Sequence, residues 1–182
     1  MCIRDSAEGG IETLGTPHNV INGLSNSNPG GVGSITQNTT SNLGAADEYK
    51  PVLSIRLKSN SLEGVAIPTR LQVGTDDKTA LYFLVVKNAN LANSTWSVEL
   101  EPNTAIEADE DADDATFFPG DIISSGFVAD GQGDPIILDP FQIGRIPNPD
   151  FNTLLSETIT VMIAPTDVNK RGIASLSWIE QP

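Results

Sequence analysis

Hydrophobic and polar positions fall into a strict alternation at Tyr49-Lys50-Pro51-Val52-Leu53-Ser54-Ile55-Arg56-Leu57-Lys58. Leu53, Ile55 and Leu57 point one way, and Ser54, Arg56 and Lys58 the other. That is the period of a strand with one buried and one wet face. The wet face is cationic, so it is expected to pair with acidic strands of the same sheet or with an acidic neighbour. Further candidate strands follow. Val65 to Val73 is interrupted at Pro68, which cannot donate to a ladder, so an edge or a bulge is expected there. Ala80 to Val86 is apolar on both faces and suits a central strand. Asn88-Ala89-Asn90 reads as a turn. Trp96, Val98 and Leu100 alternate with Thr95, Ser97 and Glu99, which places Trp96 in the core. Ala105 to Ala108, Asp121 to Val128 and Pro135 to Leu138 are shorter strands. Thr158 to Ala164 puts Ile159, Val161 and Ile163 on one face, and Ile173 to Ile179 groups Ala174, Leu176 and Trp178. A single helical turn is allowed around Phe151 to Leu155. Strands at this spacing, separated by Gly, Pro and Asn, predict an all-β fold. The expected architecture is a single antiparallel β-sandwich over residues 49–182, with a jelly-roll-like winding as one option.

Residues 7–48 show no sustained period and contain Asn26-Ser27-Asn28-Pro29-Gly30-Gly31 and Gln37-Asn38-Thr39-Thr40-Ser41-Asn42. This composition buries little apolar surface against its ordering entropy and reads as a flexible linker or docking arm. The islands Val20-Ile21, Leu24, Val32 and Ile35 leave room for a strand or two laid on a neighbour. Met1-Cys2-Ile3-Arg4-Asp5 resembles the translation of a transposon-end adapter from sequencing libraries, with Ser6 read across the junction. Residues 1–6 are therefore read as a scar. The chain is then expected to be the C-terminal fragment of a longer protein assembled from environmental DNA.

Charge narrows the functions. The chain has 10 Lys+Arg against 24 Asp+Glu, a net charge of -14. Such a field repels a phosphate backbone and an anionic membrane surface, so neither nucleic acid nor membrane is an expected partner. The lone histidine, His18, lies in the leader, and the lone cysteine, Cys2, in the presumed scar. The folded part then holds no Ser-His-Asp or Cys-His nucleophile system and no His/Cys zinc site. A facing carboxylate pair survives only formally, so no catalytic residue, cofactor or enzymatic activity is expected.

The loudest polar signal is Glu107-Ala108-Asp109-Glu110-Asp111-Ala112-Asp113-Asp114. Asp109, Asp111 and Asp113 have the spacing of a calcium loop and are weak metal candidates. Asp114 stands where that loop needs its sharp-turn glycine, and Gly120 where it needs a bidentate Glu. A solvated acidic hairpin tip accounts for the run better. Asp130-Gly131-Gln132-Gly133-Asp134 reads as a turn rather than a phosphate cradle.

The ordered segments resemble a C-terminal domain of large structural proteins of tailed bacteriophages. Pro51 to Lys58 resembles its opening motif, and Ile67-Pro68-Thr69-Arg70-Leu71-Gln72-Val73 its "IP-x-x-x-x-V" strand. Ala105-Ile106-Glu107-Ala108-Asp109 is similar to "VEYD", and Gly120-Asp121-Ile122-Ile123-Ser124-Ser125-Gly126-Phe127 to "GGTVISSGF". Phe141-Gln142-Ile143-Gly144-Arg145 and Leu176-Ser177-Trp178-Ile179-Glu180 match "F-x-L-G-R" and "L-x-W-x-E". The order of the motifs, over roughly 49–182, carries the resemblance. Ala108 departs from it where an aromatic is usual, as do the extra acidic residues that follow. The resemblance implies a virion component of tail, baseplate or neck, assembled in the host cytoplasm. It implies no catalytic residues, and partners that are other virion subunits, copies of the same chain among them. The alternative is a carbohydrate- or calcium-dependent adhesion module of a surface or secreted bacterial protein.

Overall fold

The alternation after Tyr49 forms strand β3, Lys50–Leu57, at the heart of a two-sheet sandwich. The computed structural model describes residues 20–22, 32–38, 46–59, 65–75, 79–97, 104–109, 114–116, 120–129, 136–137 and 156–181. Two strands precede β3: β1, Val20–Asn22, and β2, Val32–Asn38. After it come β4, Val65–Thr75, β5, Leu81–Lys87, β6, Asn90–Ala92, and β7, Trp96–Ser97. Next are β8, Ile106–Asp109, β9, Asp114–Thr116, β10, Asp121–Val128, and β11, Ile136–Ile137. The last two are β12, Thr158–Pro165, and β13, Gly172–Gln181. The expected turn of helix at Phe151 to Leu155, the Asp130 to Asp134 loop and the Phe141 to Arg145 segment lie outside the described residues.

Sheet A has the order β1-β2-β13-β4-β11 and sheet B the order β10-β5-β12-β3-β8-β7; β6 and β9 form a separate two-stranded sheet. Set aside β1 and the β6 to β9 insertion, and number the remaining eight strands along the chain. Sheet A then reads first, eighth, third, sixth, and sheet B second, seventh, fourth, fifth. Consecutive strands cross from one sheet to the other except at β5 to β10, and all pairs are antiparallel. This winding is a jelly roll. The strands β1 and β2 fall in the stretch read as a linker or docking arm. They pair with each other and, through β2, with β13 of the same chain.

One core fills the space between the sheets. Leu53, Ile55 and Leu57 of β3 meet Ile159, Val161 and Ile163 of β12 and Leu81, Phe83 and Val85 of β5. Leu71 and Val73 of β4 and Ala174, Leu176 and Trp178 of β13 close it from sheet A. Trp178 is fully buried. Burying aliphatic and aromatic side chains of this size contributes about 1.5–3 kcal/mol each. The outer face of sheet B explains why β5 is apolar on both sides. Leu84 and Val86 join Met162 of β12 in a second cluster, on which Tyr49, Ala89 and Leu91 pack.

Pro68 lies at a bulge in the ladder to β13, while on the other side β11 faces only Leu71 and Arg70. Ser177 pairs with Arg70 and Trp178 with Pro68, so Thr69 is the extra residue. Its hydroxyl donates to the Ser177 carbonyl at 3.2 Å, at the point where proline has no N–H to offer. At the predicted turn, Asn88 takes the left-handed conformation (φ 57°), and its side-chain carbonyl accepts from Thr158 N at 3.0 Å.

Candidate interaction surface

Among the described residues, three places stand out for exposed apolar or densely polar chemistry. The first is the face of β3 expected to be wet. It is not: Ser54 and Lys58 are buried and Arg56 is half-buried. The reason is β8, which pairs along β3 with Ser54 opposite Asp109 and Arg56 opposite Glu107. Residues directly opposite in a ladder share a face. Arg56 Nε donates to Glu107 Oε1 at 2.5 Å. The guanidinium also lies over the Trp96 ring, 4.0 Å from its centroid. Of the two options for the cationic face, pairing within the same sheet is therefore realised. Trp96 corrects the core expectation. It is half-buried, pairs with Asp109 on the outer face of β8, and lies outside the core cluster. Only Trp178 of the two tryptophans fills the core.

The acidic run divides at β8. Ile106 and Ala108 enter the core, while Glu107 and Asp109 occupy the opposite face. Asp109 is buried, and its Oδ1 accepts from Thr95 N at 3.2 Å. This metal candidate thus serves to tie the chain entering β7. Asp111 and Asp113 lie outside the described residues. Among the described residues, no group of three or more His, Cys, Asp or Glu side chains is placed to hold a metal ion.

The second place is the end of the sandwich where β13 meets the approach to β8. Glu180 Oε1 accepts from Trp178 Nε1 at 2.8 Å and from the Thr104 hydroxyl, and Oε2 accepts from Ala105 N at 3.0 Å. One carboxylate on sheet A thereby holds the segment that leads into sheet B. The Lys58 N–H donates to the Ala105 carbonyl at 2.8 Å. Burial pushes the Lys58 ammonium below its ordinary pKa, and the carboxylates of Glu107 and Glu180 pull the other way. The Glu180 carboxylate is thus taken up by donors of the same chain, which gives this corner a structural role.

The third place is the outer side of β5 and β10. Phe127 is 53% exposed, Ile122 50% and Tyr82 41%. The Phe127 and Tyr82 rings lie 5.0 Å apart at 45°. Tyr49 sits nearby: burial raises its pKa first, and Tyr82 and Asp47 add to the shift. Sequence spacing conceals this patch. Ile122 and Phe127 are five residues apart, which in a regular strand puts them on opposite faces. The ladder to β5 slips between Ile122 and Ser124, so Ile122 pairs with Val86 and Phe127 with Tyr82. Val86 and Tyr82 are four apart and share a face. One extra residue at Ile123 therefore turns Ile122 to the same side as Phe127. Ile123 itself packs against the core. The available signal was the pair of serines and a glycine beside an apolar pair in one strand. Gly126 is needed because a Cβ there would lie 2.5 Å from Phe83 Cε1.

The arrangement offers an apolar ledge along a sheet edge, with no convergent nucleophile, base or metal-ligand set among the described residues. Comparison with known proteins finds no matching family model and no matching curated sequence.

Proposed function

We propose that this chain is a non-enzymatic structural and interaction domain of a tailed-bacteriophage virion protein, from the tail, baseplate or neck. The observation that carries the reading is the ledge on β5 and β10: apolar side chains exposed on an edge strand, where a neighbouring subunit can seat. The placement of the resembling segments supports it further. Pro51 to Lys58 runs along β3, Ile67 to Val73 along β4, Ala105 to Asp109 into β8, Gly120 to Phe127 along β10, and Leu176 to Glu180 along β13. The motifs thus supply strands of both sheets. Jelly rolls serve both capsid-like and lectin-like roles, so the fold alone does not choose. The acidic surface keeps free subunits apart before assembly.

The exposed Tyr82 and Phe127 pair also favours a second reading, a carbohydrate-binding adhesion module, since sugars stack on exposed aromatic rings. Antibody raised against the purified domain separates the two. Gold label on the tails or necks of particles concentrated from the source community is the expected result. Label confined to bacterial surfaces, with specific binding on a glycan array, overturns the virion reading.

A further inference from the structure

We propose that β10 is a self-association edge: a second copy of this chain adds its own β10 antiparallel to the first and continues sheet B across a two-fold axis. Two independent observations meet there. The first is in the backbone. Strand β10 ends sheet B, and among the described residues its only ladder is to β5. Among the described residues no strand pairs with its outer edge, a row of N–H and C=O groups that can template another strand. The second is in the side chains. Ile122 and Phe127, on this same strand, are each about half exposed, and Phe127 stacks on Tyr82.

Soluble proteins guard such an edge with lysine, proline or an inward-pointing charge. From Ile122 to Val128 there is none of these. The bulge at Ile123 is the one blunting device on the strand. It leaves Ser124 to Val128 in regular register with β5, enough rungs for a short antiparallel pair.

The occupant follows from charge and symmetry. Each copy carries -14, so two copies repel over most of their surfaces. Strand β10 holds a single charge, Asp121 at its start, and is a surface along which like-charged copies can approach. A two-fold contact requires the same patch on both sides. An axis normal to the sheet keeps the outer faces of the two copies on one side, so the two Phe127 ledges merge into one apolar strip. A cationic partner would be drawn instead to the acidic surface. The inference does not depend on the virion reading, and a monomeric protein would leave that reading standing.

Sedimentation velocity on the full chain tests it, from roughly 1 to roughly 500 µM and in about 50 or about 500 mM sodium chloride. A dimer is expected whose dissociation constant falls as salt rises, because salt screens like-charge repulsion without weakening a ladder. Phe127→Lys and Ile122→Lys, checked for native circular dichroism, should each weaken association at least about tenfold. Amide hydrogen exchange on the unmodified chain keeps the test decisive if a variant fails to fold: residues 121–128 should gain protection as concentration rises. A monomer at every concentration, a dimer that salt dissociates, a dimer indifferent to both substitutions, or unchanged β10 exchange overturns the proposal.

Discussion

Replacing Glu180 by alanine removes the acceptor that three donors share. The carboxylate receives Trp178 Nε1 at 2.8 Å, Ala105 N at 3.0 Å and the Thr104 hydroxyl. The hydroxyl can rotate and recover most of its loss. The indole N–H belongs to a fully buried residue, so leaving it unsatisfied costs about 1–3 kcal/mol. Ala105 is half-buried and water reaches part of that region, so its share is nearer about 0.5–1 kcal/mol. Glu180→Ala should therefore lower stability by about 2–4 kcal/mol. With a urea dependence of about 2 kcal/mol per molar, the unfolding midpoint falls by roughly 1–2 M. Near-ultraviolet circular dichroism, which reports the packed indole, should follow the same transition. The mechanism makes a sharper demand through a double-mutant cycle. In a Trp178→Phe background the indole donor is already gone, so the added cost of Glu180→Ala should shrink by about 1 kcal/mol or more. A loss below about 0.5 kcal/mol for the single variant, or full additivity in the cycle, would refute the reasoning.

Two further outcomes follow from packing and from linkage. Gly126→Ala places a Cβ 2.5 Å from the buried Phe83 ring and should cost about 1–3 kcal/mol in urea unfolding, with Phe83→Leu in the same chain recovering part of it. For Lys58, the folded pKa lies below the ordinary 10.5, chiefly through burial. Between those values the unfolded chain binds more protons, so this group adds stability as pH rises through the window and withdraws it as pH falls. Relative to wild type, Lys58→Met should therefore be at its most favourable near neutral pH and lose ground as pH approaches 10.5; paired urea titrations at both ends showing a pH-independent difference would contradict the assignment.

Much of the fold was legible along the chain because a strand writes its burial with period two. Leu53, Ile55 and Leu57, then Ile159, Val161 and Ile163, then Ala174, Leu176 and Trp178 all announce inner faces that the sandwich uses. Pro68 announced an interruption, and the physics of a missing N–H sufficed to expect one. What a strand lies beside is a different matter. Arg56 and Lys58 read as a solvated face because alternation records only that one side is polar. Their cover, β8, comes from a segment about fifty residues later, brought alongside by antiparallel pairing. Trp96 misled for the same reason: its alternation is real, but its strand pairs at the rim of sheet B, where the face it shares is that of Arg56 and Asp109.

By itself, then, the sequence determined the class of fold, the inner faces of the long strands and the absence of histidine and cysteine chemistry from the stretch after Tyr49. These are local or compositional properties, readable without knowing any neighbour. Tertiary structure alone decided the jelly-roll order, the place of β2 on β13 and of β1 on β2, the pairing of Arg56 with Glu107, and the ledge of Tyr82, Ile122 and Phe127. Each depends on which strand pairs with which and in what register. A single slipped residue at Ile123 is enough to turn Ile122 outward beside Phe127, and only the partner strand β5 records that slip.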